Sequence, residues 1–110
     1  MNLGNTIKNL RQKQGIKQNA LAKSCNISQT YLSQIENNVK EPNISVLKNI
    51  ANKIGVPLPI IFFLSMEVQD IKPEKREAYK HLAPSINSML ADFFPKTLPH
   101  EKWLLILQNI

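Results

Sequence analysis

The stretch Gln18–Asn37, QNALAKSCNISQTYLSQIEN, divides at Asn26 into two short segments, each with one apolar stripe. Leu21 and Cys25 lie four apart, Ile27 follows the turn, and Leu32 and Ile35 lie three apart, the spacing that brings side chains to one face of a helix. The pattern is that of two helices joined by a tight turn. Ala22 falls where two such helices cross most closely, and a methyl group is about the largest side chain that crossing admits. Asn26 occupies a turn position that needs a left-handed backbone, which Asn tolerates next best after Gly. Ser28 is a good N-cap for the second segment, whose outward residues Gln29, Thr30, Ser33 and Gln34 are uncharged hydrogen-bonding groups. A solvated face would carry Lys and Glu instead.

Upstream, Leu3, Ile7 and Leu10 predict a helix from about Leu3 to Lys13, ended by Gly15. Lys17 stands where the next helix needs a cap, yet an ammonium cannot accept amide hydrogen bonds. Downstream, Asn37–Pro42 reads as a loop, with Asn38 able to adopt a left-handed conformation. Asn43 then caps a helix whose stripe is Ile44, Leu47, Ile50, Ala51 and Ile54, ended by Gly55; all five are expected in the core. The run Val56–Leu64 is more apolar than a surface helix requires, so a second surface is expected to cover it, from the tail or from another copy.

Charge is placed unevenly. The chain has 110 residues and a formal net charge of +6. Residues 1–65 hold eight Lys or Arg against Glu36 and Glu41, whereas residues 66–110 hold six of each sign. The whole positive excess therefore sits with the helix-turn-helix, as a polyanionic partner requires. Cys25 is the only cysteine, so no intrachain disulfide can form and a reducing, cytoplasmic setting is expected. The N-terminal residues have no basic segment followed by an apolar one, so no signal peptide is expected. The most apolar run, interrupted by Pro57 and Pro59, falls well short of the roughly 20 residues a membrane span needs.

Several landmarks occur in order: Ile7-x-x-Leu10-Arg11 before Gly15-Ile16, then Gln18-x-x-Leu21-Ala22, Ser28, Leu32, Ile35-Glu36-Asn37, Pro42 and Ile54-Gly55-Val56. In these features the run from Leu3 to about Leu64 resembles the lambda-repressor and Cro-like DNA-binding family. The resemblance implies a five-helix bundle; with the helices read in the tail, the expected fold class is all-α, the bundle followed by a C-terminal helical extension. The resemblance also implies an ion pair between Arg11 and Glu36 that ties the first helix to the end of the third. Ser28–Asn37 becomes the recognition helix, entering the major groove of double-stranded DNA. Gln29 and Gln34 can each pair bidentately with adenine N6 and N7, Thr30 can meet a thymine methyl, and Ser33 can serve either base. Phosphate contacts are expected from Lys17, Gln18, Ser28, Tyr31, Asn37, Asn38 and Lys40, with Gln18 also bracing Gln29. Glu41 carries the wrong sign for such a surface and finds no account in this reading.

Residues 66–110 carry no motif of that family. Pro73, Pro84, Pro95 and Pro99 divide them into a polar helix over Glu74–Leu82, a further helix starting at Pro84 with Ile86, Met89, Leu90, Phe93 and Phe94, and the apolar segment Lys102–Ile110, helix or strand. About 45 residues cannot bury a core alone, so this segment is expected to serve dimerisation or partner binding. His81 and His100 are isolated, and no Gly-rich phosphate loop occurs, so neither an enzyme nor a metal or other cofactor is expected. Two functions remain: a sequence-specific, dimeric transcriptional regulator, most simply a repressor, or a protein-interaction module such as an antitoxin or adaptor. No residue identifies a small-molecule or protein effector.

Overall fold

The computed structural model describes residues 1–93, which are helical with no strand among them. Among the described residues there are six α-helices: α1 (Leu3–Lys13), α2 (Gln18–Ser24), α3 (Gln29–Glu36), α4 (Ile44–Ile54), α5 (Leu58–Ser65) and α6 (Arg76–Phe93). The chain divides into two compact units, Asn2–Ser65 with α1 to α5, and the residues from Met66 onward together with Met1.

Local hydrogen bonding sets where the helices start. The Asn2 side chain accepts from the Asn5 N–H, the Ser28 hydroxyl from the Tyr31 N–H at 3.0 Å, and the Asn43 side chain from the Val46 N–H at 2.9 Å. Helix α2 begins after Lys17 without a side-chain cap, as the chemistry of lysine dictates. Four helices end alike. Gly15, Asn26, Asn38 and Gly55 take positive φ, and the next residue (Ile16, Ile27, Val39, Val56) donates its N–H to a carbonyl five positions back, on Arg11, Ala22, Gln34 and Ala51. Each closure satisfies a carbonyl that the helix end would otherwise orphan.

Ile7, Leu10, Leu21, Leu32, Ile35, Ile50, Ile54, Val56, Ile61 and Leu64 form the core of the bundle, each at most 2% exposed. Helix α1 packs on α3 and α5, α2 on α3 and α4, and α4 on α5. Burying each such aliphatic side chain is worth about 1.5–3 kcal/mol, so the stripe on α3 fixes which side of that helix faces outward. The end of α5 is tied back to the start of α1. The Asn2 N–H donates to the Ser65 carbonyl at 2.9 Å, and the Thr6 hydroxyl lies within reach of the Leu64 carbonyl.

Three expectations need correction. Ile44 is 52% exposed rather than in the core. It is the first residue of α4, and a helical side chain leans toward the N-terminus, here past the end of the helix. Cys25 is buried but caps α2 rather than lying within it. In the second unit, the break expected at Pro84 is absent and α6 runs through it. Proline's fixed φ is itself helical; what the helix gives up is one backbone hydrogen bond.

The second unit opens with short 3-10 turns at Val68–Asp70 and Pro73–Lys75, and the Arg76 Nε donates to the Val68 and Ile71 carbonyls at 3.1 Å each. The side chains of Ile86, Met89, Leu90 and Phe93, and the whole of Phe94 and Lys102–Ile110, lie outside the described residues. Among the described residues no single helix is long and apolar enough to cross a membrane.

Candidate nucleic-acid interface

Helix α3 sinks Leu32, Ile35 and Glu36 into the bundle. The residues between them on the helical repeat consequently turn outward: Gln29 and Thr30 are exposed, and Ser33 and Gln34 half-buried. Ser28 and Asn37, the two caps of α3, are exposed, and Tyr31 is half-buried. The Asn37 amide donates to the Ser33 hydroxyl at 3.4 Å, a long bond that leaves that hydroxyl free to act as a donor. Lys17 and Lys40 are exposed.

A chain of hydrogen bonds leads from the core to this surface. Arg11 donates from Nε to Glu36 Oε2 at 2.8 Å, from Nη2 to Glu36 Oε1 at 3.0 Å, and from Nη1 to the Ile16 carbonyl at 2.9 Å. Glu36 Oε1 also accepts from Gln18 Nε2 at 3.1 Å, and Gln18 Oε1 accepts from Gln29 Nε2 at 3.3 Å. Five residues from three helices and a turn are thus joined, and the amide of Gln29 is held at the exposed end of α3. Gln18 lies where α2 begins, so the uncapped N-terminus of α2 and the first turn of α3 meet at one place.

Asn38 is exposed, and its side chain is also engaged within the protein. Its Oδ1 accepts from the Gly4 N–H at 3.0 Å, and its Nδ2 donates to Asn2 Oδ1 at 2.8 Å. The side chain therefore clasps the start of α1 to the end of α3 and satisfies one of the amides the α1 N-terminus leaves open. Gly4 makes the clasp feasible. A Cβ on Gly4 would run into the Ile35 carbonyl oxygen, and would come within 2.7 Å of Asn38 Oδ1 and 2.8 Å of the Glu36 carbonyl oxygen. Neither Asn2 nor Gly4 stood out in the sequence. An Asn directly before the first apolar residue of a helix was the available signal for Asn2; Gly4 offered none.

Burial raises the pKa of the Cys25 thiol above its ordinary value, so the group is an inert neutral side chain at neutral pH. Among the described residues no cluster of three His, Cys, Asp or Glu side chains could hold a metal ion.

The helix-turn-helix family matches over residues 7–61. The chain is 36% identical over 75 residues to the HTH-type transcriptional regulator RamB of Mycobacterium tuberculosis, covering 68% of this chain but only 15% of RamB. It is 29% identical over 97 residues to the immunity repressor protein of Bacillus phage phi105, covering 77% of this chain and 67% of that protein. With the ImmF control region 10 kDa protein of the same phage it shares 36% identity over 66 residues, 60% of this chain and 73% of that protein. No solved structure matches the chain. The matched span begins at Ile7, takes in α2 and α3 with their turn, and ends at Ile61 within α5, so the chain belongs to the Cro/C1-type helix-turn-helix family.

Proposed function

We propose that this protein binds double-stranded DNA sequence-specifically as a homodimer and represses transcription by occupying an operator. The observation that carries the reading is the outward face of α3, where Gln29, Thr30, Ser33 and Gln34 line a helix whose opposite side is buried. Uncharged amides and hydroxyls on an exposed helix gain little from water that they would not gain elsewhere; opposite base edges they discriminate. Gln29 and Gln34 read adenine, Thr30 and Ser33 contribute secondary contacts, and Lys17, Gln18, Ser28, Tyr31, Asn37 and Lys40 hold the backbone. Asn38, which is exposed, reaches the backbone as well through the Nδ2 hydrogen that its bond to Asn2 leaves over. The names of the RamB and phi105 relatives, a transcriptional regulator and an immunity repressor, favour the same reading.

A dimer is proposed because the family reads two half-sites about one helical turn apart. The half-buried Ile60, Phe62 and Phe63 of α5 and the segment from Met66 onward are the candidates for its interface. Selection of bound fragments from a random duplex pool tests the proposal. Enrichment of a site with two related half-sites is expected, with affinity falling as salt rises by a slope of about −0.9 per phosphate contacted. A pool that enriches no sequence overturns the reading and favours a protein-interaction module.

A further inference from the structure

The hydrogen-bond chain from Arg11 to Gln29 has a direction, and one group fixes it. A carboxylate only accepts, so the end of the Gln18 amide that touches Glu36 has to be its NH2, as the 3.1 Å contact from Nε2 has it. That turns the Gln18 carbonyl toward Gln29. A carbonyl only accepts, so Gln29 has to present its own NH2 in return, at 3.3 Å. One N–H of Gln29 is then consumed by the brace. Its carbonyl oxygen and its second N–H are left for a ligand.

We propose that the buried Arg11–Glu36 pair is a specificity determinant acting at a distance: through Gln18 it sets the polarity of Gln29 and commits that side chain to adenine over guanine. One outward acceptor beside one outward donor matches adenine, which offers N6–H to a carbonyl and N7 to an N–H. Guanine offers two acceptors, O6 and N7. A braced Gln29 meets one of them with its single N–H and sets its carbonyl oxygen against the other. An unbraced Gln29 can turn both N–H groups toward guanine. Glu36 and Gln18 are positioning residues here, and the base preference of Gln29 is their readout. The inference rests on the reading of α3 as the base-reading helix.

The experiment compares the adenine-over-guanine preference at each position of the selected site for the parent protein and four variants. In Gln29→Ala the preference disappears at one position, which identifies the base that Gln29 reads. In Gln18→Met, which keeps length and removes both hydrogen bonds, the preference at that same position falls about tenfold, within the range a bidentate pair contributes. The positions that respond to Gln34→Ala keep their preference. The double variant Arg11→Met with Glu36→Met leaves both glutamines in place and frees their direction; its preference at the Gln29 position falls alike. Should the double variant fail to fold, Gln18→Met alone decides, since that side chain is only half-buried. A preference unchanged in Gln18→Met, with Gln29→Ala still abolishing it, overturns the relay and leaves the base-reading helix standing. If Gln29→Ala alters no position, the reading of α3 itself fails.

Discussion

The Arg11 guanidinium meets the Glu36 carboxylate through two parallel hydrogen bonds, 2.8 Å from Nε and 3.0 Å from Nη2, with the two side chains 9% and 1% exposed. Such a fork is the strong form of an ion pair, and its burial makes it costly to break from one side only. It also fixes two helices at once, since Arg11 lies in the last turn of α1 and Glu36 is the last residue of α3.

Arg11→Ala leaves the Glu36 charge buried with only the Gln18 amide to compensate it. Unfolding in urea should register a loss of about 3 kcal/mol. Replacing both partners with methionine removes the stranded charge as well, so the double variant should lie much nearer the parent than the single one. Equal losses in the two would mean that packing, rather than charge, accounts for the effect.

Gly4 and Gly15 should respond differently to alanine. At Gly4 the added methyl meets backbone oxygens of α3 that cannot move aside without shifting that helix. Gly4→Ala is expected to cost more than 2 kcal/mol, in the range of overpacked core sites, and to weaken DNA binding through the tilt of α3. At Gly15 there is open space within 4 Å but φ is +72, so Gly15→Ala should cost about 1 kcal/mol of backbone strain and leave binding intact. Thermal midpoints read beside duplex affinity separate the two.

Lys17 gives α2 no cap, and a hydroxyl there would supply one. Lys17→Ser should raise stability by about 1 kcal/mol. If Lys17 holds a phosphate, the same change lowers affinity for every duplex and reduces the salt slope by about 0.9, without altering which sequence is preferred. A stabilised variant with an unchanged slope would remove Lys17 from the interface.

Burial raises the pKa of the Cys25 thiol, with the neighbouring Ser24 hydroxyl and Lys53 charge opposing it more weakly. The folded protein should therefore react slowly with a thiol reagent at neutral pH and rapidly once urea unfolds it. The linkage has a sign: a folded-state pKa above the unfolded one stabilises fully below the unfolded value and is lost as pH climbs through the folded one. Stability should then decline above about pH 9, the ordinary value of the group, and Cys25→Ala should lack that alkaline decline.

Local chemistry made much of the bundle legible before any coordinates. The bounds of α1 follow from Leu3, Ile7, Leu10 and Gly15, and those of α3 and α4 from Ser28 and Asn43, because a cap bonds an amide three residues away and a left-handed residue ends its own helix. The outward face of α3 was readable too, since burying Leu32 and Ile35 leaves Gln29, Thr30, Ser33 and Gln34 the other side. Burial at helix ends was less legible: Ile44 keeps the helical period and still faces water.

The sequence by itself determined the charge that the first 65 residues carry, and also where α1, α3 and α4 begin and end and which stripes are apolar, properties set by neighbours within about five positions. Only the tertiary structure decided that Gly4 backs onto the Ile35 carbonyl, that Asn38 closes on Asn2 across 36 positions, and that the Gln18 amide bonds the buried Glu36 carboxylate. The physical reason is range. A cap or a left-handed turn is satisfied by atoms the chain supplies next door, whereas an amide that must choose between donating and accepting takes its direction from whichever group packing brings against it.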